Sequence, residues 1–192
     1  KLPLFQDILS AAQKGCNSDY IIYTNTDIAL MPHFYLTAQS LIAQGHEVIN
    51  IFRRTLAKDT SSVESIPIMY ADLGEDHPGT DCFIVKRNIL EKVDLGNIVI
   101  GARFCAFALR ANLFALSRSI IEYPKLHMTF HLGDDRVWEE QDEYGAYNAE
   151  EVKKMFLRLE QKKDIYDPEI VARFKGQFEN RVENWISSRG KV

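Results

Sequence analysis

Three short stretches of this 192-residue chain concentrate side chains that can do chemistry. In the first, the apolar run Tyr20-Ile21-Ile22-Tyr23 ends in the polar tetrad Thr24-Asn25-Thr26-Asp27. A buried strand would aim that tetrad at solvent, with Asp27 as an oxygen ligand. A hard divalent cation held by one or two carboxylates bridges phosphates and stabilises a departing diphosphate. The alternative is that Asp27 caps the helix that begins near Pro32, or closes a turn. In the second stretch, His77-Pro78-Gly79-Thr80-Asp81 is a glycine turn ahead of the strand-like Cys82-Phe83-Ile84-Val85. A carboxylate at the start of a strand is placed to contact a sugar hydroxyl or to act as a base; it can also simply bond the turn backbone.

The third stretch runs from Leu126 to Arg136 and holds His127, His131 and a Gly133-Asp134-Asp135 turn. A neutral imidazole is a good metal ligand, so a late histidine could complete a site begun by Asp27. His127-Met128-Thr129-Phe130-His131 reads as a strand or extended loop, in which the even separation puts both histidines on one side. A core or capping role for each is the alternative. A two-histidine zinc site is disfavoured, because no Glu sits in the expected place and no cysteine helps. Arg53 and Arg54, after another apolar run, could bind phosphate through charge-assisted bonds or form a solvated strand end. Arg103 could point at a substrate anion or snorkel to the surface. Trp138, Tyr144 and Tyr147 could stack on a sugar ring or pack in a core. No nucleophile elbow, phosphate-binding glycine loop or redox cysteine pair is present in the sequence.

The elements that must position these residues follow an α/β rhythm. Residues 3–14 read as a helix closed by Gly15. Tyr20–Tyr23 reads as a strand buried on both faces at the centre of a parallel sheet. Pro32 opens a second helix that stops at Gly45, and Val48–Phe52 is the next strand. In such sheets ligands bind beyond the carboxyl ends of the strands, where the tetrad and the arginine pair both sit. A weak helix and loop cover residues 61–73. A short helix is expected at Asn88–Val93, a longer one at Ile98–Leu116 and a strand at Ile120–Tyr123. Beyond residue 140 the chain turns charge-rich and helical. Asn148 with Glu151 marks one helix start, with Val152, Met155, Phe156 and Leu159 as its stripe; Asp167-Pro168-Glu169 marks the next.

Hydrophobic residues make up 46% and charged residues 26%, which supports a real core and argues against disorder. Net charge is −4 with no basic stripe, which argues against a nucleic-acid partner. The three cysteines have no metal-ligand spacing and suit buried thiols in a reduced compartment. Arg103, Arg110 and Asn112 interrupt the longest apolar run, so no transmembrane segment is expected.

In order, the acidic motif at the end of Tyr20–Tyr23, a crossover, the Gly79-Thr80-Asp81 turn and the late His131 resemble the GT-A-type glycosyltransferase superfamily. The resemblance covers about residues 3–140. It implies a GT-A-like (Rossmann-like) mixed sheet flanked by helices as the catalytic domain, residues 1–140, with a C-terminal helical extension, residues 141–192. The strand-helix-strand unit that binds the nucleotide base in that superfamily has no counterpart before Leu2, so the chain is expected to be the later part of the domain. The resemblance puts Asp27 at the metal-binding aspartate of the Asp-x-Asp motif and His131 at the late metal ligand. Asn25 takes the motif's first position and would touch the donor ribose or sugar, with Asp81 in the acceptor or donor-sugar region. It further implies a divalent metal cofactor (Mn2+ or Mg2+), a nucleotide-sugar donor and a glycan, lipid or protein acceptor. The setting would be cytoplasmic, at the inner face of a membrane, in a polysaccharide pathway. The alternatives are a non-catalytic α/β interaction domain and a nucleotidyltransferase.

Overall fold

The computed structural model describes residues 2–57, 62–133 and 142–189. In chain order the elements are α1 (Phe5–Gly15), β1 (Tyr20–Thr24), β2 (Ala29–Leu30), α2 (Phe34–Ile42), β3 (Val48–Ile51), β4 (Arg54–Leu56) and a 3-10 turn (Val63–Ser65). Then come α3 (Ile66–Ala71), β5 (Glu75–Asp76), β6 (Cys82–Lys86), α4 (Arg87–Leu90), α5 (Cys105–Leu116), β7 (Ile120–Tyr123), β8 (Thr129–Leu132), α6 (Asp142–Gln161) and α7 (Pro168–Arg189). The chain is α/β and divides into two units. One holds both sheets with α2 and α3; the other is built from α1, the 91–104 segment, α5, α6 and α7.

In the sheet unit, the strands form two four-stranded mixed sheets, in the orders β1-β6-β3-β7 and β2-β8-β4-β5. β6 lies between β1 and β3, antiparallel to both, and β3 runs parallel to β7. One face of this sheet, carrying Ile49, Ile51, Cys82 and Ile84, packs on Phe34, Ala38 and Leu41 of α2. The alternating residues Val48, Asn50, Phe83 and Val85 are buried as well, which is why β3 and β6 read as continuous apolar runs. Asn50 meets the need of a polar side chain in that setting by donating from Nδ2 to Glu122 Oε1 at 2.8 Å, its opposite neighbour on β7. In the second sheet, Leu56 and Phe130 pack with Met69 of α3.

Two expectations change here. Tyr20–Tyr23 is not a central strand of a parallel sheet. β1 is an edge strand, half-buried along its length and paired antiparallel with β6. A run of four apolar residues reports burial but not which neighbours fill its two edges. Arg53 and Arg54, expected as a matched pair at a strand end, part company because alternate residues of an extended chain face opposite ways. Arg54 belongs to β4 and is 2% exposed. Its guanidinium donates to the carbonyls of Asp72 and Met69 and lies 5.4 Å from the centre of the Phe130 ring.

The helical unit rests on an aromatic cluster. Phe107 lies 5.7 Å from Phe174 and 6.1 Å from Phe178, and Phe156 lies 5.9 Å from Phe178. The expected stripe of Val152, Met155, Phe156 and Leu159 on α6 is buried. α7 starts where the sequence reading put it: Asp167 Oδ1 accepts from the amides of Glu169 (2.9 Å) and Ile170 (3.1 Å). α6, however, begins at Asp142, so Asn148 does not start it. Asn148 is buried within the helix, donates to the carbonyls of Val99 and Arg103, and accepts from the Val99 amide. The expected Ile98–Leu116 helix starts only at Cys105, because Gly101 and Phe104 take left-handed backbone conformations (φ 78° and 70°) that no helix accommodates. Arg103 therefore precedes α5 and shares no helical face with Arg110. Cys16 is exposed, contrary to the expectation of buried thiols, while the Cys82 thiol is buried and pushed up to about 12.

Arg54→Ala should lower the free energy of unfolding by about 2–4 kcal/mol, since it strips buried carbonyls of their donor and opens a cavity above Phe130. Urea denaturation of the full chain measures it. A loss near zero would show that Arg54 is not a structural element of the second sheet.

Candidate functional site

The site is set by strand direction. Because β6 is antiparallel to both of its neighbours, the carboxyl ends of β1 and β3 and the amino end of β6 share one edge of the sheet. Thr24 pairs with Cys82, so the next residues outward, Asn25 and Asp81, face each other, and the Asn25 amide donates to the Asp81 carbonyl at 3.3 Å. Arg53 leaves the end of β3 at the same edge, and its amide meets the carbonyl of Gly79 at 3.4 Å. β2 pairs with β8, and that brings Asp27, in the turn before β2, to His131 on β8.

Asp27 Oδ2 lies 3.3 Å from His131 Nε2. At its other nitrogen, His131 Nδ1 lies 2.6 Å from the Gly133 carbonyl oxygen. A carbonyl only accepts, so the proton sits on Nδ1, and a neutral ring turns its Nε2 lone pair toward the carboxylate. Two acceptors opposed at 3.3 Å require a proton or a cation between them. Two ligands bonded to one ion at about 2.0–2.2 Å, with a tetrahedral or octahedral angle, stand about 2.8–3.6 Å apart, so the pair fits a metal. His131 is held, with its side chain 11% exposed, while the Asp27 side chain is 59% exposed and leaves the remaining coordination positions open. Among the described residues, no group of three or more His, Cys, Asp and Glu side chains is placed to hold a metal. The pair supplies two positions, and a substrate's phosphate oxygens and water would have to supply the rest. Asp27 does not cap α2, whose N-cap position is His33.

Asp81, 9% exposed, is the second centre. Its Oδ1 accepts from Asn25 Nδ2 at 2.9 Å, and Asn25 Oδ1 accepts from the Tyr23 hydroxyl at 2.8 Å. Its Oδ2 lies 3.4 Å from Arg53 Nε. Burial raises the Asp81 carboxyl above the ordinary carboxylate range, and the neighbouring Arg53 guanidinium is the chief group that opposes that rise. Arg53 Nε also donates to His77 Nδ1 at 3.1 Å.

The structure thus brings Asn25, Asp27, Arg53, Asp81 and His131 into the sheet unit at neighbouring strand ends. Asn25 and Arg53, expected to meet the donor, both turn toward Asp81. Arg103 lies in the helical unit with its guanidinium 5.8 Å from the Trp185 ring centre. His127 takes a left-handed backbone conformation (φ 55°) just before β8, so the strand alternation expected to pair it with His131 does not reach it. Tyr147 is on α6 and donates to the Asn97 carbonyl at 3.1 Å. Asp134, Asp135, Arg136 and Trp138 lie outside the described residues. Sequence reasoning missed His77 as a partner of Arg53 and Asp81; its place two residues before Gly79 in the turn was the available signal. No protein-family model matches this sequence, and no curated protein sequence matches it.

Two outcomes follow from this geometry. Long-range proton–nitrogen NMR of the metal-free protein should find the His131 proton on Nδ1; a neutral ring protonated only at Nε2 would contradict the arrangement. A carboxyl with a raised folded-state pKa binds its proton more tightly when folded. Its penalty is absent below the unfolded value, about 3.9, and complete once the pH exceeds the folded value. Asp81→Asn should therefore gain stability relative to the wild type as pH rises from about 3 to neutrality, measured by denaturant titration across that range. A constant difference would show that burial imposes no such penalty.

Proposed function

We propose that this chain belongs to a GT-A-type glycosyltransferase, which moves a sugar from a nucleotide-diphosphate donor to a glycan, lipid or protein acceptor. One observation carries the reading: Asp27 Oδ2 and His131 Nε2 face each other at 3.3 Å at a sheet edge, a spacing that a shared cation would fit, with the far nitrogen of the imidazole against the Gly133 carbonyl. A backbone bond of that kind fixes the tautomer and orientation of a ligating histidine. Asp27 and His131 would hold Mn2+ or Mg2+; the nitrogen ligand suits manganese better than magnesium. Held there, such an ion would supply positive charge against the departing diphosphate.

The chain's own residues do the rest. Asp27 and His131 orient the donor phosphates through their shared position. Asp81 takes the proton from the attacking acceptor hydroxyl; a carboxylate with a raised pKa is a better base near neutrality than an ordinary one. Asn25 and Arg53 act on this base and not on the donor: Asn25 donates to Asp81 Oδ1, and the Arg53 guanidinium stands 3.4 Å from Oδ2. No donor contact is proposed for Arg103. Among the described residues no helix is long and apolar enough to cross a membrane. The setting proposed is the cytoplasmic side of a membrane where polysaccharide is built.

Asp27→Ala should abolish donor turnover, tested against a panel of sugar nucleotides with manganese, and should remove manganese-dependent binding of uridine or guanosine diphosphate in calorimetry. Thermal melting should change little, because the side chain is largely exposed. Full transfer activity in this variant would refute the mechanism. Unfolding would show that Asp27 is a structural residue.

A further inference from the structure

We infer that His77 and Arg53 are positioning residues: His77 Nδ1 fixes the Arg53 guanidinium, and Arg53 in turn holds the Asp81 carboxylate as an anion at the sheet edge. The inference rests on the reading of Asp81 as the proton acceptor, and extends it to two side chains that touch no substrate in that scheme.

Three features of the 77–81 turn support it. First, one atom receives two donors. His77 Nδ1 accepts from the Gly79 amide at 2.8 Å and from Arg53 Nε at 3.1 Å. The imidazole therefore ties the turn's backbone to the guanidinium, whose Nη2 also lies 3.2 Å from the other ring nitrogen, Nε2. Second, the side chains close over a residue that has none. A Cβ built on Gly79 would stand 2.6 Å from Asp81 Oδ2 and 2.7 Å from His77 Nδ1, so a side chain there would require the carboxylate or the imidazole to shift. Third, the ion pair is secluded: the Arg53 and Asp81 side chains are 13% and 12% exposed. A desolvated carboxylate without a cation takes up a proton and ceases to be a base. A guanidinium has several ways to approach a carboxylate, and a second, fixed acceptor selects among them. Asn25 hydrogen-bonds Asp81 Oδ1, while the buried Oδ2 accepts no hydrogen bond and has the Arg53 guanidinium as its nearby cation.

The test is a carbon-13 NMR titration of the Asp81 carboxyl in the full chain, for the wild type, Arg53→Gln, His77→Ala and His77→Asn. The groups that bear on Asp81, namely Arg53, His77, Asp27 and His131, are otherwise unchanged in each comparison. The Asp81 midpoint should rise by about 1 pH unit in Arg53→Gln, where the cation is lost, and rise also in His77→Ala, where the guanidinium is released. His77→Asn, whose amide oxygen can replace Nδ1 as an acceptor, should return the midpoint to the wild-type value. A midpoint that does not move in His77→Ala overturns the proposal, as does a rise that Asn fails to reverse. If His77→Ala does not fold, nitrogen-15 NMR of the wild type decides: a proton on His77 Nδ1 overturns the proposal, and a proton on Nε2 alone supports it. The titration needs no donor. Failure of every sugar nucleotide to turn over would sink the glycosyltransferase reading while leaving the clamp standing. Turnover with an unmoved Asp81 midpoint would sink the clamp alone.

Discussion

The cluster around Asp81 depends on one antiparallel insertion. β6 enters between β1 and β3, opposed to both. Strands that run the same way present their carboxyl ends together, and a strand that opposes them presents its amino end there. Asp81 precedes β6 and Arg53 follows β3, so residues 28 apart in sequence meet at 3.4 Å. Had β6 run parallel to its neighbours, Asp81 would lie at the far edge of the sheet, a strand's length from Asn25. The apolar content of β6 makes the insertion stable: Cys82, Phe83, Ile84 and Val85 are all buried, on both faces, and such a run tolerates no edge position exposed to water.

Adjacent arginines show how the backbone allots roles. Arg53 and Arg54 carry the same charge one residue apart. Arg54, turned inward at the start of β4, is consumed by the carbonyls of Met69 and Asp72 and by the face of Phe130. Arg53, at the junction between the two sheets, faces the carboxylate of Asp81 and the imidazole of His77. A buried guanidinium must find acceptors wherever it lands. In one case these are backbone carbonyls, which makes Arg54 part of the fold. In the other they are titratable side chains, which makes Arg53 part of the site.

The Asp27–His131 pair shows the opposite economy. The core does not need the Asp27 side chain, most of which is exposed, yet it faces an imidazole whose orientation is set from behind by Gly133. Gly133 itself has φ 73°, a conformation that turns its carbonyl back toward the strand it follows. The left-handed turn and the ring orientation are thus one feature.

The sequence by itself determined the inventory and much of the local structure. It placed α1, α2, β3, β6, β7 and the start of α7 within a residue or two, because apolar periodicity, Pro32, Gly45 and the Asp167 cap act over a few residues. It also singled out Asp27, Asp81 and His131, since a short polar motif after an apolar run is visible without a fold. Only the tertiary structure decided that β1 lies at an edge, that Arg53 and Arg54 have opposite fates, that Arg103 stands beside Trp185 and that His77 belongs with Asp81. Each of these turns on which strand lies beside which, or on a backbone angle such as that of Phe104 or His127. Those are settled by long-range pairing and packing, and a local pattern of residue types carries no record of them.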